Sequence, residues 1–140
     1  MSQHLRVQPG EYVIEHFPEG EEPAPGAKGA KGAAEEANWL TMVRAPEGPT
    51  VVRRATPADV RDGEPERSRW VAFYSGQSAH GLDVPGMLAA VVNPLAESGL
   101  PVFVASTYHA DLILVPAEHL PEAVAAWRRS GHEVSTTAAA

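Results

Sequence analysis

The sequence predicts an α+β fold, and three observations predict it. First, residues 102–115 hold two short apolar runs, Val102 to Ala105 and Leu112 to Val115, around six mostly polar residues, Ser106 to Asp111. Two buried strands joined by a tight polar hairpin give that pattern. A helix would instead hide the charged Asp111 among branched side chains with no polar stripe. Second, a helical pattern flanks the hairpin on each side, Pro85 to Ser98 before it and Glu118 to Ser130 after it. Third, a strand-like Trp70 to Tyr74 precedes the first helix, and His132 to Ser135 follows the second. The order is β-α-β-β-α-β, the split βαβ or ferredoxin-like unit.

Composition sets the limits within which that unit works. A chain of 140 residues makes one ordinary domain or two very small ones. The 44% apolar fraction is near the globular average and allows a packed core. A net charge of −7 argues against a nucleic-acid partner, which needs a basic face. The absence of cysteine excludes disulfide and thiolate chemistry. No apolar run approaches the roughly 20 residues that span a bilayer, and the first residues, Met1 to Arg6, lack the apolar core of a signal peptide. The expectation is a cytoplasmic protein without a membrane or nucleic-acid partner.

The first half reads less regularly. Leu5 to Phe17 is a strand pair or one bent strand, with Pro9-Gly10 as the turn or kink. Pro18 to Ala37 carries four glycines and three prolines but no large apolar residue. It cannot bury enough surface to offset its ordering entropy and reads as a flexible insert. Asn38 to Arg44 and Thr50 to Arg54 form a hairpin around the turn cluster Ala45 to Pro49. Thr56-Pro57 starts a brief helical turn with Thr56 as N-cap, and Asp62 to Pro65 is a linker. The half is therefore β-β-β, with the insert standing where a βαβ unit has its first helix.

In the second half, Ser75 to Gly86 is a long polar loop that leads into the first helix, with Asp83 placed to cap it. Val91, Val92 and Leu95 mark the apolar face of that helix. Pro94 lies inside it and should kink it. Leu120, Val124 and Trp127 share a face of the second helix. Gly99 and Gly131 are the expected helix stops, and Thr136 to Ala140 is a frayed tail.

Gly86-Met-Leu-Ala-Ala, then Pro94-Leu-Ala-Glu-Ser-Gly, then Val102 to Val115 with its Ser-Thr-Tyr-His-Ala-Asp centre, recur in order as separated blocks. Together, over about Trp70 to Val134, they resemble the ACT-domain family, and within it the CASTOR-type branch. Trp39 to Arg54 is similar to the degenerate ACT-like half that precedes the domain in small bacterial members. Ala110 departs from the usual Thr, Leu112 from a common aromatic, and the insert from a helix. The resemblance implies a ferredoxin-like βαββαβ ACT domain over 66–136, and a second, degenerate ACT-like half over 3–62 with the insert at 18–37. It also implies a non-catalytic amino-acid-binding regulatory or sensor module without cofactor. Carried over by motif, the ligand-binding positions are Val84, Gly86 and Met87 at the helix start and Thr107, Tyr108 and Asp111 in the hairpin.

Those residue types suit a zwitterion. A helix start offers free N–H groups and the positive end of the dipole to a carboxylate. Asp111 offers negative charge to an ammonium or guanidinium, which favours a basic amino acid. Thr107 adds a hydroxyl and Tyr108 an aromatic wall. Each residue also has a plainer use: glycine in a turn, and Asp, Ser or Thr in local backbone bonds. The alternative to a sensor is therefore a structural or protein-interaction module that kept the fold and lost the ligand. The six histidines are scattered without metal-ligand spacing, and no nucleophile elbow is present, so neither a metal site nor an enzyme is expected. The two halves are expected to form four-stranded antiparallel sheets, or one continuous sheet, with helices on one face. Uncovered sheet edges point to a homodimer.

Overall fold

The computed structural model describes residues 2–18, 39–65, 67–76 and 85–137. In chain order its elements are β1 (His4–Val7), β2 (Tyr12–His16), β3 (Trp39–Ala45), β4 (Gly48–Arg54), a 3-10 turn (Pro57–Asp59), β5 (Val60–Arg61), β6 (Glu64–Pro65), β7 (Trp70–Tyr74), α1 (Met87–Glu97), β8 (Phe103–Ser106), β9 (Asp111–Pro116), a second 3-10 turn (Ala117–His119), α2 (Leu120–Arg129) and β10 (Glu133–Ser135). The chain divides into two compact units, residues 1–9 with 70–140, and residues 10–69. The expected insert after Pro18 lies outside the described residues, as do Asp83, Val84 and the end of the tail.

The first unit has the α+β, ferredoxin-like order that the sequence predicts. From β7 to β10 the elements run β-α-β-β-α-β. The strand order is β10-β1-β7-β9-β8. Of the two expected arrangements, separate four-stranded antiparallel sheets or one continuous sheet, the four-strand count is corrected here: this unit contributes five strands, including one parallel pair, β1 with β10. The added strand comes from the N-terminus. Residues 3–9, read from sequence as part of the first half, pack in this unit instead. The reason lies in the side chains of that segment: Leu5 is completely buried in the same apolar cluster as Val71, Phe73, Ile113, Val115 and Val134.

Both helices pack on one face of this sheet. Val91 and Leu95 of α1, and Ala123, Val124, Ala126 and Trp127 of α2, join the same cluster. Trp127 sits edge-on to Phe73, with ring centroids 5.0 Å apart, and its indole N–H donates to the Val91 carbonyl at 2.9 Å. Such a partner is what a buried Trp needs. The helices stop in the same way. Gly99 and Gly131 take positive φ, 71° and 92°. Leu100 N–H then reaches the Leu95 carbonyl, and His132 N–H the Trp127 carbonyl, which makes two Schellman motifs.

Pro94 lies inside α1 as expected, and its missing N–H frees the Ala90 carbonyl. His132 supplies the replacement. Its Nδ1 accepts the Gln3 N–H at 3.0 Å, so its Nε2 carries the proton and donates to the Ala90 carbonyl at 2.9 Å. Gln3 adds a bond from Nε2 to the Met87 carbonyl at 2.8 Å. One buried imidazole thus ties α1, the N-terminal segment and the turn that follows α2 together.

The second unit holds a three-stranded antiparallel sheet in the order β2-β4-β3. The β3–β4 turn is shorter than its sequence suggests. Strand pairing extends to Ala45 and Gly48, leaving only Pro46 and Glu47 between them. On this sheet Arg53 donates to Glu15 at 2.6 Å and to both carboxylate oxygens of Asp59 at 2.8 and 2.6 Å. Arg67 approaches the same two acids. Asp59 also accepts the Thr56 N–H at 2.7 Å, which closes the 3-10 turn. The Arg53 guanidinium holds the Asp59 carboxyl well below the usual carboxylate range. The segment read as a linker is a small hairpin, β5 with β6. Asp62 and Gly63 both take positive φ in its two-residue turn, as a type I′ turn requires.

Candidate functional site

The β8–β9 hairpin forms one part of the predicted site. Pairing of Ser106 with Asp111 leaves a four-residue loop, 107–110. Thr107 closes it: its N–H donates to the Ala110 carbonyl at 2.7 Å, and its Oγ1 accepts the Ala110 N–H at 3.0 Å. Ala110 is fully buried beneath this closure. Tyr108 stands at the tip, 71% exposed, with its ring edge-on to His109.

Asp111 is buried, only 3% exposed. Its Oδ1 accepts the Ser106 hydroxyl at 2.8 Å. Its backbone is gripped by Ser75, whose N–H donates to the Asp111 carbonyl at 3.0 Å and whose Oγ accepts the Asp111 N–H at 3.0 Å. The sequence reading passed over Ser75. The available signal was its position: it directly follows β7, the strand paired with β9, so a polar residue there meets the start of β9. The next residue is Gly76, where a Cβ would overlap the Tyr74 ring. That ring puts its hydroxyl 3.4 Å from Thr107 Oγ1.

Gly86 and Met87 form the other part. Gly86 is the N-cap of α1, with φ of 83°, and no side chain among the described residues caps the helix there. A Cβ at Gly86 would meet open space. Met87 is half-buried, and its carbonyl is the one that Gln3 reaches. Gln3, also missed from sequence, keeps its Oε1 buried without a partner among the described residues. Val84 lies outside the described residues. The fold therefore gathers Thr107, Tyr108 and Asp111 on one hairpin, while Gly86 and Met87 start the helix on a separate element. Among the described residues no group of three His, Asp or Glu is arranged to hold a metal ion. No helix among them is long and apolar enough to cross a membrane.

These elements fall inside one recognised pattern. Residues 66–129 match the family model of the ACT domain. The ACT match runs from just before β7 through α2 and leaves β1 and β10 outside. An ACT domain is a regulatory domain rather than a catalytic one. No curated protein matches the chain. Among solved structures, the chain is similar to protein Atu0741 from Agrobacterium tumefaciens, with 20% identity, a TM-score of 0.74, and coverage of 99% of this chain and 96% of that one. It is also similar to protein VC0802 of unknown function from Vibrio cholerae, with 24% identity, a TM-score of 0.67, and coverage of 91% and 88%. A third likeness is to the regulatory subunit of aspartate kinase from Thermus thermophilus, with 14% identity, a TM-score of 0.56, and coverage of 90% and 95%. At these identities the likeness is one of fold.

Proposed function

We propose that the chain is a non-catalytic regulatory module of the CASTOR-type ACT branch that binds a free amino acid, preferably a basic one. The observation that carries this reading is the ACT match over residues 66–129. In support, the helix start at Gly86, which no side chain among the described residues caps, suits a carboxylate. Asp111 supplies negative charge to an ammonium or guanidinium. Val84, Met87, Thr107 and Tyr108 complete the proposed contacts. The module works in the cytoplasm as a homodimer, because β8 and β10 are the outer strands of the first unit's sheet and such edges invite pairing.

A second reading has its own support. Thr107 and Asp111 both make hydrogen bonds that close the hairpin, and Tyr108 is exposed rather than packed as a wall. Those features suit an interaction module that kept the fold without the ligand. A thermal-shift panel of the twenty amino acids separates the two. A basic amino acid that raises the melting temperature supports the sensor. A flat panel at millimolar concentration favours the interaction module.

A further inference from the structure

We propose that a cleft at the β1–β10 side of the first unit binds a small oxyanion, a carboxylate or a phosphate, through Arg6. The cleft measures about 460 Å³ and is lined by His4, Arg6, Val7, Gln8, Pro9, Ser135 and Thr137. It uses none of the positions assigned to the amino acid above.

The alternation of β1 builds it. Leu5 and Val7 belong to the apolar side that meets the helices. His4 and Arg6 therefore project from the opposite face of the sheet. Strand register sets Arg6 opposite Ser135 and His4 opposite Glu133. His4 Nε2 lies 2.6 Å from the Ser135 hydroxyl, which fixes that hydroxyl beside the Arg6 position.

The charge is what singles this cleft out. Arg53 is neutralised by Glu15 and Asp59, but among the described residues no carboxylate pairs with Arg6. An exposed arginine on the wall of a cleft, with no carboxylate partner among the described residues, in a chain of net charge −7, is a directed attraction for an anion. Its planar fork donates two parallel bonds to a carboxylate or phosphate. The Ser135 and Thr137 hydroxyls add further bonding partners along the wall. The volume lies within the range of about 300–1,000 Å³ usual for small-molecule sites.

The test is an NMR titration of the full chain with inorganic phosphate and, separately, with succinate, against sodium chloride at matched ionic strength. Saturable shifts confined to residues 4–8 and 133–137 are expected with at least one probe, and the responding probe identifies the class. Arg6→Gln should weaken that binding at least about tenfold, the loss of a charge-assisted bond. Arg6 is exposed, so the fold should persist, which circular dichroism checks. Asp111→Ala should leave the anion affinity unchanged. Silence toward both probes overturns the proposal, as does binding that survives Arg6→Gln or disappears with Asp111→Ala. Amino-acid binding at the other site is read independently, so either site can fail alone.

Discussion

Pro94 removes the N–H that would have reached the Ala90 carbonyl, and His132 returns one from the far end of the chain. Replacing His132 with Ala should leave that carbonyl and the Gln3 N–H buried and unpaired. The expected cost is about 2–6 kcal/mol in urea unfolding, at about 1–3 kcal/mol per orphaned group. Pro94→Ala restores the helical donor, so the cost of His132→Ala should be smaller in that background by about 1 kcal/mol. An additive double mutant would refute the link. The lost backbone bond at Pro94 was readable in the sequence, because proline chemistry is local. The role of His132 was not, because it depends on where an imidazole points after folding.

At the same scale, Asp59 gives a pH dependence. Arg53 lowers its folded pKa below the unfolded value, first through their hydrogen bonds and also through charge. Ionised Asp59 therefore contributes stability above the unfolded carboxylate pKa, near 4. That contribution fades as pH falls from about 5 toward the lower folded value. The expectation is that Asp59→Asn destabilises by about 3 kcal/mol at pH 7, since it breaks a largely buried pair. The gap between variant and wild type should then narrow on acidification. A gap constant from pH 7 to 3 would assign the effect to packing.

Elements were legible where their signals are local. β7 matches its sequence bounds, and the hairpin strands shift by only one residue, because alternation and turn chemistry fix them. The β5–β6 hairpin was missed because two-residue strands carry no period, although its Asp-Gly pair was in view. Gly99 and Gly131 were read as stops, and both take the left-handed conformation that a Schellman motif demands. Alanine at either position should cost about 1 kcal/mol or more, because a Cβ disfavours that conformation. Thermal unfolding of the two variants checks this, and loss-free variants would mean that the helix ends rearrange.

For the whole molecule, the least legible feature was the destination of β1. Four residues show alternation but do not encode a partner at the opposite end of the sequence. Their burial and pairing do: β1 lies between β7 and β10, with Leu5 in the core. A chain lacking residues 1–9 should therefore lose the dispersed amide NMR spectrum of the first unit, although its β-α-β-β-α-β segment is intact. Retention of that spectrum would show β1 to be dispensable. The candidate site was legible as residue types, through motif blocks that recur in order. Ser75 and Gln3 were not, since they reach Asp111 and Met87 only through the fold.

The central claim is that this ACT-matching chain binds a free amino acid through Asp111, and calorimetric titration with arginine tests it most directly. The account predicts a saturable heat with a dissociation constant between about 1 μM and 1 mM. It also predicts affinity weaker by at least about tenfold for Asp111→Ala, since truncating one partner of a buried charge pair costs about 2–5 kcal/mol. A titration without heat from arginine, lysine or any other amino acid, or equal affinity in the variant, would contradict it.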